Sequence, residues 1–229
     1  MTRTASSRSI RRRVTTLMAM VLAVAVVAAP AAPLAADGNE APGAPAASRF
    51  VSSGGEHTCA VYSTGVVRCW GRNGYGQLGI GDVWSRGAQP QDMLLGLADT
   101  TLGAGRTATA LSAGANHTCA LLDDDTVKCW GLNDQGQLGL GDTANRGDGP
   151  AEMGDALPTV DLGTGHTATA ITAGSSHTCA LLDDGTVKCW GLNDRGQLGL
   201  GDTANRGDSP AEMGDTLPTV DLGTGRTAT

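Results

Sequence analysis

The feature that most constrains this chain is a phrase that returns at a fixed interval of sixty residues. Cys59, Cys119 and Cys179 are sixty apart, as are Cys69, Cys129 and Cys189, and Trp70, Trp130 and Trp190. The third copy reads HTCALLDDGTVKCWGLNDRGQLGLGD over residues 177–202. A period of that size marks an array whose units are too small to bury a core separately and must stack on one another. Each copy holds an apolar run, a short polar turn with Gly or Asp, a second apolar run ending in Cys-Trp-Gly, and a tail punctuated by glycines. That is the pattern of a β-hairpin followed by tight turns.

In the third copy the pattern predicts strands over 169–173, 177–182, 186–190 and 219–222, with Pro210 and Pro218 bracketing a long loop where no ladder donor is lost. Four short antiparallel strands per repeat describe a propeller blade better than a solenoid coil. The expected fold class is therefore all-β, with about three four-stranded β-propeller blades. With 34 glycines and only 3% aromatic residues, the core must come from Val, Leu, Ile, Ala, the repeated Trp and the cysteines. Such a composition favours thin, closely stacked β-layers.

The hairpin register predicts the cysteine pairing. If Asp183, Asp184 and Gly185 form a three-residue loop with Gly185 left-handed, Leu182 pairs with Thr186, Leu181 with Val187, Ala180 with Lys188, and Cys179 falls opposite Cys189. Directly opposed Cβ atoms lie about 4.5–5.5 Å apart, close to disulfide distance. The same count sets Cys59 opposite Cys69 across Ser63, Thr64 and Gly65. It sets Cys119 opposite Cys129, with Asp125, a residue that tolerates positive φ, in the glycine's place.

Residues 1–36 carry Arg3, Arg8, Arg11, Arg12 and Arg13 and no acid, then an apolar run over 17–29 and a small-residue segment over 31–36. These are the three regions of a secretory signal peptide, with cleavage expected near Ala36; Arg11 to Arg13 leave general and twin-arginine export both open. Six cysteines in an exported chain, two per repeat, read as three disulfides rather than catalytic thiols. Loss of the leader removes five arginines and takes the net charge from −7 to about −12. That charge disfavours nucleic acid and anionic membrane as partners. Residues 37–48, rich in Ala, Pro and Gly, read as a disordered linker.

Three repeats follow, at about 49–108, 109–168 and 169–229. The first is the most divergent, as a terminal unit is expected to be. The second and third differ at nine of sixty positions, among them Asp125 against Gly185, Gln135 against Arg195 and His166 against Arg226. A catalytic site is a single asymmetric constellation, which near-identical copies do not supply, so the repeats favour a scaffold or binding surface over an enzyme.

The phrase GxxHTCALxxxGxVxCWGxNxxGQLGxGD resembles the regulator of chromosome condensation repeat, over essentially all of residues 49–229. The resemblance implies a seven-bladed β-propeller, of which this chain would be an incomplete part. Some members are nuclear nucleotide-exchange factors for a small GTPase; others are bacterial and secreted, including a β-lactamase inhibitor protein. The leader and paired cysteines set this chain with the secreted kind. Residues 223–229 match 163–169, so the chain ends where a fourth copy would begin, and either a longer product or an assembling open arc is expected.

Within the repeats, His57, His117 and His177 stand two residues before a cysteine. Each repeat offers one His and two Cys already suited to each other, so the histidines are expected to be structural and no metal is expected. The Gly-Gln-Leu-Gly-Leu-Gly tail lacks the spacing and following helix of a phosphate loop and is read as turn-forming. The tryptophans are expected to pack between blades. Recognition is assigned to the long loops 82–101, 142–159 and 202–219, because loops on a rigid scaffold carry most function. Their candidate interaction residues are Trp84, Asp142, Arg146, Asp148, Asp202, Arg206 and Asp208; the two Arg-Gly-Asp tripeptides are read as a duplicated coincidence. The expected function is a secreted, non-catalytic interaction module with an extracellular or cell-surface protein partner and no cofactor. Nucleotide exchange on a GTPase and a purely structural surface array are the alternatives, and a homo-oligomer or a longer chain the expected state.

Overall fold

The computed structural model describes residues 48–93 and 96–229; the expected leader and most of the expected linker lie outside them. Ten strands form three antiparallel sheets. The first holds β1 (Ser48–Ser53), β2 (His57–Tyr62), β3 (Val67–Gly71) and β4 (Asp99–Thr100) in that order. The second holds β5 (Ala108–Ala113), β6 (His117–Leu122) and β7 (Val127–Gly131), and the third β8 (Ala168–Ala173), β9 (His177–Leu182) and β10 (Val187–Gly191). Within each sheet the first three strands follow one another by short antiparallel turns, as expected for propeller blades, and β4 joins the first sheet after a long loop.

The predicted hairpin register holds in each sheet. Leu181 pairs with Val187, Ala180 with Lys188 and Cys179 with Cys189, and the equivalent pairs recur in the other two blades. Disulfides join Cys59 to Cys69, Cys119 to Cys129 and Cys179 to Cys189. Each closes a short loop, for which chain entropy gives about 2–3 kcal/mol. Replacing Cys119 and Cys129 together by alanine is expected to lower stability by about that amount in urea unfolding. At the turn, Gly65 and Gly185 have φ of 79° and 78°, and Asp125 holds the same left-handed place at 62°. Asp125→Gly is therefore expected to stabilise the protein by about 0.5–1 kcal/mol, read as a raised melting temperature.

The first strand of each sheet carries a bulge. Register shifts between Ser48 and Phe50, Ala108 and Ala110, and Ala168 and Ala170. In the later blades the bulged residue turns its hydroxyl back onto the neighbouring strand: Thr109 and Thr169 donate to the Leu121 and Leu181 carbonyls, both at 3.2 Å.

The fourth strand is shorter than its expected span. It is two residues long in the first blade and a single Lys188–Thr219 bridge in the third, and in the second it is represented by the Val160 N–H donating to the Val127 carbonyl at 2.8 Å. Prolines 158 and 218 stand just upstream, where they cannot extend the ladder, and positive-φ Gly163 and Gly223 turn the chain just downstream. The long loops also form short helical turns, α1 (Pro90–Met93) in the first copy and 3-10 turns at Gly154–Ala156 and Gly214–Thr216.

The core lies between blades. Alternation along β6 sends Ala120 and Leu122 back against the first blade, beside Val61, Val67 and Leu78, and sends Cys119 and Leu121 forward against Leu182 and Trp190 of the third. The second sheet is thus apolar on both faces, and each of its faces is covered by a neighbouring blade.

Candidate interaction surface

The repeated His, Thr, Trp and Gln build the junction between blades. The ring Nε2 of His57 meets the Thr118 hydroxyl of the next blade at 2.8 Å, and His117 meets Thr178 at 3.0 Å. Thr118 and Thr178 donate in turn to the carbonyls of Gln77 and Gln137, each at 3.0 Å, and the indole N–H groups of Trp130 and Trp190 donate to those same carbonyls at 3.1 Å. Four polar groups therefore meet in each seam, and Trp130 and Trp190, fully buried, lie between blades as their position predicts, whereas Trp70 is only half-buried. The glycine three residues before each histidine makes room for this. A side chain on Gly114 would strike the His117 ring at 2.2 Å and the Gly174 carbonyl at 2.5 Å.

Burial governs these histidines. Desolvation pushes His57 down to about 4; desolvation, followed by the charges of His57 and His177, pushes His117 down to about 3. Nδ1 of both rings is buried with no hydrogen-bond partner among the described residues, so a second ring proton would have no acceptor. His177 is lowered by the same burial. The lysine of each later blade also reaches backward: Lys128 Nζ donates to the Leu102 and Gly154 carbonyls, and Lys188 Nζ to those of Leu162 and Gly214.

With these groups committed to stacking, the loops after the Gly-Asp steps are the remaining surface. They are rigid. Arg146 pairs with Asp142 at 2.7 Å and donates to the Ala144 and Asn145 carbonyls, while its backbone bridges Gly131. Arg206 repeats this on Asp202 at 2.6 Å. The Asp202 carboxyl is held below its ordinary range by the Ala204 backbone N–H and then by Arg206. Of the seven candidate residues, these four are thus tied to one another within their loops. Asp148 and Asp208 are half-buried, and the glycine before each has its carbonyl carbon against Gly76 or Gly136 of the preceding blade.

Trp84 is different. Its backbone N–H is fixed by the Asp82 carboxylate at 2.9 Å, but its side chain is 72% exposed. The sister positions are Ala144 and Ala204, and exposed Val83 beside it replaces Thr143 and Thr203. The first loop therefore presents an apolar pair on a pinned backbone that its copies lack.

Sequence reasoning missed the carboxylate that closes each loop. Glu152 accepts from the Gly147 and Gly149 N–H groups, Glu212 from those of Gly207 and Ser209, and Asp92 from those of Gly87 and Gln89. The signal was an acid recurring at sixty-residue spacing. Beside these loops, clefts open at both blade junctions. They measure about 270 Å³ by Ile80 and Ala151 and about 420 Å³ by Leu140 and Ala211. Ala151 and Ala211 sit there at φ of 62° and 65°, strained for a residue with a Cβ. Among the described residues, His166, Asp183 and Asp184 form the one group with the composition to hold a cation. The imidazole stands where Arg106 pairs with Asp123 and Asp124 in the preceding copy.

Disulfide-stapled hairpins joined through two equivalent seams define a run of β-propeller blades. The chain belongs to the regulator of chromosome condensation (RCC1) repeat family, whose models match residues 64–121, 124–181 and 184–225, and in a shorter form 49–77, 108–137 and 168–197. It is 36% identical over 155 residues to the ultraviolet-B receptor UVR8 of Arabidopsis thaliana, covering 67% of this chain and 32% of the receptor. It is 34% identical to protein pim1 of Schizosaccharomyces pombe, over 67% of this chain and 27% of that protein. The chain thus spans about a third or less of these relatives. Among solved structures it is similar in fold to human WBSCR16, with a TM-score of 0.54 at 20% identity, over 77% of this chain and 40% of that one. It is likewise similar to yeast RCC1 (Prp20) in its structure bound to Kap60, with a TM-score of 0.52 at 20% identity, over 72% and 37%.

Proposed function

We propose that this chain is a secreted, non-catalytic module that binds a protein outside the cell or at its surface through its first long loop. The observation that carries the reading is Trp84, an exposed aromatic on a loop pinned by Asp82 and Arg86, since aromatics on rigid backbones are the usual anchors of protein interfaces. Export is supported by the arginine-led apolar leader and by cysteines paired three times over. Absence of catalysis is supported by the commitment of the repeated histidines and threonines to blade seams.

The test is capture from the growth medium on immobilised protein. A stoichiometric partner retained by the chain and lost at least about tenfold on Trp84→Ser is the expected result. Equal retention by both removes the loop from the interface. A second reading has one observation behind it: at 33% identity over 68% of the chain, a relative from Mus musculus carries the name X-linked retinitis pigmentosa GTPase regulator. Under the interaction reading, adding this chain to a small GTPase leaves the rate of nucleotide release unchanged; acceleration would establish the exchange reading instead.

A further inference from the structure

A pair of aspartates at the hairpin turn recurs in the second and third blades, and the group set against it differs. In the second blade the pair faces the guanidinium of Arg106, one nitrogen of which lies 3.6 Å from Asp123 Oδ1 and 3.1 Å from Asp124 Oδ2. In the third blade the same two oxygens, Asp183 Oδ1 and Asp184 Oδ2, face the imidazole of His166, with Nδ1 at 3.4 and 3.7 Å. The frame around the pair is unchanged between them. The Thr107 and Thr167 N–H groups donate to Oδ1 of Asp123 and Asp183. Thr126 and Thr186 donate both N–H and hydroxyl to Oδ1 of Asp124 and Asp184, which leaves Oδ2 for the facing group. Both carboxylates are therefore oriented by their own surroundings, as the ligands of a metal are.

The guanidinium in the second blade shows that this oxygen pair takes a cation. A guanidinium brings charge and N–H donors but no lone pair, whereas an imidazole offers a nitrogen lone pair that ligates metal ions. His166 thus exchanges a built-in cation for a ligand. We propose that His166, Asp183 and Asp184 bind a divalent transition ion of the zinc type, which neutralises the pair as Arg106 does one blade earlier. Ligand atoms about 2.0–2.2 Å from a tetrahedral ion stand about 3.3–3.6 Å apart, close to the spacing of the imidazole nitrogen from the two oxygens, and water completes the shell. One nitrogen beside two oxygens selects against calcium, which takes about six to eight ligands, all oxygen. The ion clips the segment leading into β8 to the turn between β9 and β10. With a blade on either side of it, the Arg106 trio keeps 32–40% of its side-chain surface exposed, so the site does not depend on what adjoins the third blade. It is likewise independent of Trp84 and its loop.

Calorimetric titration of the untagged, oxidised chain with zinc chloride and, separately, with calcium chloride tests it. The other three histidines, His57, His117 and His177, stand at the seam position, so one zinc ion per chain is expected, with calcium bound at least about tenfold more weakly. His166→Gln keeps both carboxylates and removes the ligating nitrogen; His166→Arg installs the residue that the same frame already holds as Arg106. Each should leave the circular dichroism unchanged and raise the zinc dissociation constant at least about tenfold. An absence of zinc binding overturns the proposal. So does zinc binding that His166→Gln leaves intact, or calcium bound as tightly as zinc, since either reduces the site to a pair of acids attracting any cation.

Discussion

Acidification from pH 7 to about pH 4 is expected to remove much of this protein's stability, and the blade-seam histidines are the reason. In the unfolded chain a histidine takes up its proton near pH 6.5, whereas His57 and His117 in the fold do so only near 4 and 3. Between those limits the unfolded state binds more protons, so stability is complete above about pH 6.5 and falls as pH falls. At 1.36 kcal/mol per unit, the loss reaches at most about 3 kcal/mol for His57 and about 5 kcal/mol for His117. A domain of ordinary stability, about 5–15 kcal/mol, loses much of its margin to these two groups. The lowered carboxyls of Asp124, Asp184, Asp202 and Asp215 act in the same direction at still lower pH. Urea midpoints at pH 7, 5.5 and 4.5 should fall in that order, and His117→Gln, which has no proton to gain, should flatten the dependence. Equal midpoints across the series would contradict the burial of these rings.

The second large effect is at the tryptophans. Trp130→Ala empties the first seam of its largest buried side chain and leaves the Gln77 carbonyl one donor short, with an expected cost of about 3–5 kcal/mol. Trp70, in the same sequence context, is only half-buried, and Trp70→Ala should cost about 1 kcal/mol or less. Urea unfolding of the two variants reads the difference directly. Similar losses at both positions would contradict this difference in burial.

The contrast between these tryptophans illustrates what could be read from residue order. The cross-strand pairing of Cys179 with Cys189 was legible because a three-residue turn fixes the count on either side of it. The seam was only half legible. That Trp130 lies between blades follows from its repetition beside a cysteine, but its partner Gln77 is fifty-three residues away and no local pattern connects them. The fourth strand was overdrawn because a ladder of one or two bonds, hemmed by Pro218 and Gly223, leaves no alternation to measure. The loops were legible as loops and not as sites. Asp142 and Arg146 look free in a list of residues, and only the fold of the loop brings the guanidinium back onto the carboxylate. Trp84, by contrast, could have been ranked first from the sequence, since its two sister positions are alanine.

The function proposed above requires export, removal of the leader and oxidation of the cysteines. Intact-mass measurement of the protein collected from the medium of producing cells, before and after thiol alkylation, tests all three together. The account predicts an N-terminus near residue 37, a mass six hydrogens below the reduced value, and no alkylation. A chain that stays within the cell with its leader and takes up alkylating agent at all six cysteines would contradict it.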